Sequence, residues 1–178
     1  MARKKTIMKS DILDTAYEVI RTEGFEGFTA RNIAKKMNCS TQPIYLEFKN
    51  MEDLKKEIVS KIKEYLTESI YTQERTDNPI LNVALNYIHF AHDESVFFKA
   101  VYLENRLDAV SMHEISKEKL NEVLAQTDEG STKDVDNLFI HFWATVHGTA
   151  SMIAQEVIPF NQEDTTHYLE QSLNIIMK

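Results

Sequence analysis

The sequence predicts an all-α protein of about nine helices, with a three-helix N-terminal domain holding a helix-turn-helix and a helical C-terminal domain behind it. Apolar residues recur at three- and four-residue spacing through most of the chain, which is the signature of helices with one buried face. Nothing shows the two-residue alternation of a half-buried strand. Four glycines and three prolines in 178 residues leave little material for the tight turns of a sandwich or barrel.

Length and composition narrow the classes further. A chain of 178 residues can bury one good core, or a small domain and a medium one. The single cysteine, Cys39, excludes a disulfide framework within the chain, and no cysteine cluster offers a zinc site. The N-terminus MARKKTIMKSDI is basic but lacks the apolar run of a signal peptide, and no stretch of eighteen apolar residues occurs. A cytoplasmic protein with no membrane partner and no cofactor is expected. The net charge of −8 is unevenly placed: residues 1–56 hold eleven Lys or Arg and eight Asp or Glu, a net of +3, and the rest carries −11. A basic module joined to an acidic body fits an electrostatic footprint confined to one end.

The first helix is expected from Thr6 to Glu23, with Ile12, Ala16, Val19 and Ile20 on its apolar face. Gly24 ends it in a left-handed C′ conformation, with Phe25 placed for the accompanying hydrophobic contact. Thr29 caps a second helix carrying Ile33, Ala34 and Met37, and Asn38-Cys39 forms a turn. Ser40 caps a third, with Ile44, Tyr45 and Phe48, and Pro43 is tolerated at N3 because its missing N–H has no intrahelical partner anyway. Two capped helices this close make a helix-turn-helix, whose second helix presents its N-terminal residues to base edges in the DNA major groove. Here those residues are Ser40, Thr41 and Gln42. Asn50 with Asp53 caps a fourth helix running to about Tyr71, roughly 30 Å long at ~1.5 Å per residue.

Beyond it, Asn78-Pro79 opens a helix from Ile80 to His92. Another runs from Ser95 to about Val110, and one more from near His113 to Leu124. Ser131 and Asp134 resemble a capping box for a helix of residues 133–158, stopped by Pro159. Asn161 caps the last helix, whose apolar face holds Tyr168, Leu169, Leu173 and Ile176.

Residues 12–54, ILDTAYEVIRTEGFEGFTARNIAKKMNCSTQPIYLEFKNMEDL, resemble the N-terminal domain of the TetR family of bacterial transcriptional regulators. The likeness lies in the apolar first helix, the Gly24-Phe25 corner, the Thr29 cap, the Ile33-Ala34 pair, Ser40, and then Tyr45, Phe48 and Leu54. It implies an all-helical homodimer that sets two reading helices in successive major grooves of an operator, with a small-molecule pocket and the dimer interface in the C-terminal domain. Phe142–Ala154, FWATVHGTASMIA, is similar to the Trp-x-x-x-His-Gly pattern in the dimerising helix of one branch of these regulators. Residues 72–130 match no family pattern. The likeness departs at Met51, near which members often carry a lysine that meets a phosphate; Lys49, Lys55 and Lys56 are the available substitutes.

The division implied is a DNA-binding domain over 1–49 and a ligand-binding and dimerisation domain over 50–178. Thr41 and Gln42 are the expected base readers, Gln42 through adenine N6 and N7. Thr29, Arg31, Ser40, Tyr45 and Lys49 are placed for phosphates, and Pro43 shapes the helix. Arg3, Lys4 and Lys5 either enter the minor groove or solubilise a tail. Cys39 reads as a small buried apolar residue rather than a redox switch. The pocket is expected among His89, Phe97, Phe98, Tyr102, Phe142, Trp143 and His147, since sites in helical domains lie between helices and are mostly apolar. The dimer interface is expected at Val135, Leu138, Val146, Gly148, Ile153, Leu169, Leu173 and Ile176. Helix 133–158 carries two apolar stripes, and which faces the pocket stays open.

The function expected is a repressor released from a pseudo-palindromic double-stranded operator when a small molecule favours a state with mismatched reading helices. A regulator of the same fold that activates, or that binds a partner protein without specific DNA recognition, is the alternative. An all-α metal enzyme using His89, His92 and Asp93 is the more remote one.

Overall fold

In the computed structural model, which describes residues 7–107, 109–126, 136 and 139–176, α1 (Lys9–Glu23) buries Ile12, Ala16, Tyr17, Val19 and Ile20 on one face. Its first turn is closed by the Asp11 carboxylate, which accepts from the Met8 N–H at 2.9 Å. The expected start at Thr6, and the basic residues Arg3 to Lys5, lie outside the described residues. At the other end the Gly24 N–H bonds the Ile20 carbonyl at 3.0 Å, with φ 70° and ψ −170°. That is the positive-φ extended region rather than the left-handed helical one, and it is open essentially to glycine alone.

Helix α2 (Ala30–Lys36) starts where the Thr29 hydroxyl accepts from the Asn32 N–H at 3.2 Å, as its cap position predicts. It ends in a Schellman closure, with the Cys39 N–H on the Ala34 carbonyl at 2.9 Å and the Asn38 N–H on Lys35 at 3.1 Å. Asn38, at φ 56°, takes the left-handed position usually given to glycine. Helix α3 (Gln42–Glu47) follows. Its N-cap is Thr41, without a side-chain cap bond, and Pro43 sits at N2. The expected Ser40 cap is therefore corrected: the cap falls one residue later, because the first bonds of the helix, from the Ile44 and Tyr45 N–H groups, go to the Thr41 carbonyl.

Helix α4 (Met51–Tyr65) begins where Asn50 Oδ1 accepts from the Asp53 N–H at 2.9 Å and the Asp53 carboxylate reaches back to the Lys49 N–H. It buries Leu54, Ile58 and Ile62, and joins α1 through Lys9–Glu57 and Lys61–Asp14 ion pairs. These residues complete the core of the first of two compact units, Met1–Glu64; the second is Tyr65–Lys178. The sequence division after residue 49 falls earlier, because an N-cap marks where a helix starts and not which core its apolar stripe enters.

The second unit opens with a π-helical turn, Leu66–Ile70, in place of the α-helix expected to reach Tyr71. There the Tyr71 N–H bonds the Leu66 carbonyl five residues back at 3.1 Å. Helix α5 (Pro79–Asp93) is capped by Asn78, whose Oδ1 accepts from the Ile80 and Leu81 N–H groups, and it is buried along most of its length. Helix α6 (Ser95–Tyr102) stops eight residues short of the expected Val110. The Leu103 and Glu104 N–H groups both fold onto the Lys99 carbonyl, and Asn105 turns left-handed at φ 50°. Helix α7 (Ala109–Leu124) accordingly starts before His113.

A second π turn, Phe139–Trp143, leads into α8 (Ala144–Ala154). That helix ends at Ala154 and not beside Pro159: Glu156, at φ 60°, makes a further Schellman closure through the Val157 N–H to the Met152 carbonyl at 2.9 Å. The Ser131–Asp134 box lies outside the described residues. Helix α9 (Gln162–Ile176) is capped by Asn161, which accepts from the Asp164 N–H at 3.0 Å. Nine α-helices and no strand are present among the described residues, as the periodicity predicts.

The corner between α1 and α2 turns on Glu23. Its carboxylate accepts from Asn32 Nδ2 at 2.8 Å and pairs with Lys36 at 2.5 Å, and these contacts hold it below the ordinary carboxylate range. Asn32 also donates to the Gly27 carbonyl at 3.0 Å. A Cβ on Gly27 would stand 2.8 Å from Glu23 Cβ, closer than packed atoms allow. Gly27→Ala is expected to destabilise the chain by about 1–3 kcal/mol through overpacking, read as a lowered urea midpoint with an unchanged slope.

Candidate functional site

Two places in the structure concentrate side chains that the cores do not consume, one in each unit. In the first, α3 is pinned by Ile44 and Phe48, each 1% exposed and one helical turn apart. Everything else on this six-residue helix faces outward. Gln42 and Glu47 are exposed, Tyr45 is 53% exposed and Leu46 75%. The expectation that Tyr45 shares the apolar face with Ile44 and Phe48 is thus corrected; in so short a helix the burying stripe is only two residues wide. Thr41 and Pro43 are half-buried at its start, with Ser40 exposed before them. Thr29, Arg31, Lys35 and Lys49 are exposed on the flanking segments.

The unit therefore offers a short helix with amide, phenol and aliphatic tips, flanked by hydroxyls and cations. Amides and aliphatic groups suit base edges and thymine methyls, while hydroxyls and cations suit phosphates. Leu46 escapes sequence reading because it lies off the Ile44–Phe48 stripe, and its 75% exposure is the signal that brings it forward. Cys39 is half-buried in the turn rather than buried.

Residues 12–58 match the family model described as "Bacterial regulatory proteins, tetR family". Over those residues the chain is similar to the TetR-family N-terminal domain. Over 173 residues it is 22% identical to YobS of Bacillus subtilis strain 168, named an HTH-type transcriptional regulator, covering 93% of this chain and 88% of that protein. Over 117 residues it is 24% identical to YttP of the same organism, also named an HTH-type transcriptional regulator, covering 62% and 56%. Among solved structures it is similar to the transcriptional regulator FadR from Bacillus subtilis, in complex with stearoyl-CoA, with a TM-score of 0.64 and 19% identity over 96% of this chain and 98% of that one. A TetR family protein from Vibrio parahaemolyticus gives the same TM-score at 16% identity, over 93% and 96%. The second helix of a helix-turn-helix enters the major groove, and over the matched residues α2 and α3 stand in its two places.

In the second unit a cleft of about 490 Å³ lies between α7 and the π turn with α8, lined by Val110, His113, Glu114, Lys117, Phe139, Ile140, Trp143, Ala144 and His147. Of the residues expected at a pocket, Trp143 and His147 line this cleft. Phe97, Phe98 and Phe142 are wholly buried and Tyr102 is 6% exposed, so these four form the core behind the cleft rather than its wall. Their rings and Tyr87 pack mostly edge-to-face, with Tyr87 at 5.2 Å from Phe98, 5.0 Å from Tyr102 and 4.9 Å from Trp143. His89 lies elsewhere, its ring against Phe160 and its Nδ1 3.7 Å from the Asp93 carboxylate. His92 bonds the other oxygen of Asp93 at 2.7 Å. Among the described residues no three His, Cys, Asp or Glu side chains converge to hold a metal ion.

His113 is the residue that sequence reading misses. It faces His147 edge-on, with ring centroids 4.8 Å apart, and Tyr102 at 5.1 Å. Burial, with the His147 imidazole beside it, lowers His113 from 6.5 to about 4, and burial lowers His147 in the same direction. Both rings are therefore neutral at pH 7. Tyr71 Oη and Ser116 Oγ, 2.7 Å apart, tie the segment after the first π turn to the buried side of α7.

Of the expected interface residues, Val135 and Leu138 lie outside the described residues. Val146 and Leu169 are fully buried within the chain, and Ile153 and Leu173 are 6% and 5% exposed. Gly148 and Ile176 remain accessible, and a Cβ on Gly148 would meet nothing within 4 Å. Among the described residues no neighbouring helix makes the close approach that a glycine suggests. Exposed apolar side chains on these helices are Ile140, Met152, Tyr168 and Ile175.

The depressed histidines fix the sign of one pH effect. An unfolded chain binds protons at these imidazoles below about 6.5, and the folded chain takes one at His113 only near 4. Stability held above 6.5 should fall as the pH drops from 6.5 towards 4. Urea midpoints across that window are expected to decline in the native protein, with a shallower decline in His113→Gln.

Proposed function

We propose that this chain is a homodimeric transcriptional repressor of the cytoplasm, released from a pseudo-palindromic operator by a small molecule bound in the α7–α8 cleft. The exposed face of α3 carries the reading: Gln42, Tyr45 and Leu46 stand on a helix otherwise fixed to its core by two buried side chains. Gln42 reads adenine, Leu46 meets a thymine methyl, and Thr41 supports them from the helix start. Thr29, Arg31, Ser40, Tyr45 and Lys49 position the unit on phosphates, and Pro43 stiffens the first turn of α3. No helix among the described residues is long and apolar enough to cross a membrane.

Two copies are needed because a six-residue reading helix contacts only one half-site. Symmetric half-sites about 34 Å apart match a two-fold dimer. The proposed self-association face is the accessible pair Gly148 and Met152, four residues apart on α8, together with Tyr168, Ile175 and Ile176 of α9. The effector acts by population shift: it must bind more tightly to the state whose paired α3 helices no longer match the groove spacing.

Operator binding is tested by mobility shift on promoter DNA of the neighbouring gene. Gln42→Ala is expected to weaken the complex about 5- to 150-fold, corresponding to ~1–3 kcal/mol for one base contact. Lys49→Ala should instead weaken all sequences alike and reduce the salt slope by about one unit. Equal affinity for all DNA in the native protein would overturn the operator reading.

Self-association has a clean variant, because among the described residues nothing stands over Gly148. Light scattering should give about twice the 20.6 kDa chain mass for the native protein. Gly148→Leu is expected to remain folded and helical but to run as a monomer; a persisting dimer would move the interface elsewhere.

A further inference from the structure

The cleft has an apolar mouth and a floor of hydrogen-bond donors. Val110 and Ile140, 71% and 65% exposed, stand at the mouth, with Phe139 stacked on Trp143 inside it at 5.4 Å. Trp143 and His147 are four residues apart and share one helical face. Trp143 is 3% exposed, and its Nε1–H has no acceptor among the described residues. An indole nitrogen can only donate, and a buried donor left unmet costs more than a made bond returns.

His147 Nδ1 lies 2.7 Å from Tyr87 Oη. Burial holds the Tyr87 phenol well above its ordinary range, so it keeps its proton, and either atom can be the donor of this bond. When the phenol donates, the neutral imidazole carries its own proton on Nε2. That nitrogen has Ser151 Oγ at 3.5 Å, the outer limit of a hydrogen bond. His113 closes the floor from α7 as a second neutral ring. The charged lining residues are Glu114 and Lys117 of α7, and Lys117 is engaged by Asp136. An ionised carboxylate at the floor would lose its hydration beside neutral rings, whereas a carbonyl oxygen needs only a donor.

We infer that the cleft takes an apolar effector bearing an uncharged carbonyl oxygen, of the ester, thioester or amide class, received by the Trp143 indole N–H with the His147 imidazole beside it. This rests on the reading of the cleft as the effector site. The apolar body packs against Val110, Phe139 and Ile140, and any anionic group the ligand carries stays at the rim.

Trp143 is the single tryptophan of the chain, so its fluorescence reports occupancy of the cleft directly. The full chain is titrated with methyl octanoate and with octanoate at pH 7.5. The ester should bind about tenfold more tightly, and its isotopically labelled carbonyl stretch should shift to lower wavenumber on binding, as a hydrogen-bonded carbonyl does. By calorimetry, Trp143→Phe should weaken the ester about 3- to 10-fold, the worth of one neutral hydrogen bond, and leave octanoate unchanged. Octanoate binding as tightly as the ester, or an unshifted carbonyl stretch, overturns the carbonyl assignment while leaving the cleft an effector site. Absence of any signal from either ligand up to the solubility limit of the ester overturns the cleft as the site, and with it the inference.

Discussion

A phenol and an imidazole, on helices that pack against each other, meet in the interior of the second unit, and neither can go without a partner there. Tyr87 is wholly buried on α5, and its hydroxyl reaches His147 of α8 at 2.7 Å. That bond leaves the second nitrogen of His147 directed away from Tyr87 and holds α5 and α8 at one mutual setting. Around it Phe98, Tyr102 and Trp143 pack at angles that favour ring edge against ring face. The cleft exists because this aromatic block is full: Phe139, Ile140 and His113, lying outside it, have no further core to enter.

The two units divide their labour by how much of each helix is consumed. Helix α5 is buried nearly all round and is wholly structural, whereas α3 spends two side chains on its core and keeps the others outside. The tie of Glu23 to Asn32 and Lys36 lets α3 be so sparsely anchored. It sets α2 against the end of α1 through polar contacts, leaving apolar burial to Ile33, Ala34 and Ile44. Such a helix can change its outward residues without changing what holds it.

The starts of helices were legible in the sequence because they are decided by local chemistry. Thr29, Asn50, Asn78 and Asn161 each cap the helix they precede, and the Asn38 turn closes where the two polar residues between apolar runs place it. Ends were less legible, since Glu156 and Asn105 take left-handed dihedrals that no composition signal marks. The site was legible on α3, where a short helix leaves few choices, and only partly so at the cleft. Trp143 and His147 line it, but Phe97, Phe98 and Phe142 are indistinguishable from them by type and spacing. Which aromatic fills a core and which walls a cavity depends on what three helices leave uncovered, and His113 came from a stretch with no pattern of its own.

The π turn at Leu66–Ile70 takes up one residue without moving a helix face. Leu66 is buried, and the next buried residue is Tyr71, five further on. An α-helix turns about 100° per residue and a π turn less, so five residues of the turn carry the chain about as far round as four do in an α-helix. Tyr71 therefore stays above Leu66, its N–H on the Leu66 carbonyl and its phenol against Ser116. Removing one residue from the turn would leave a regular helix with that phenol on the same face, so chain length has a slack here that a regular α-helix lacks.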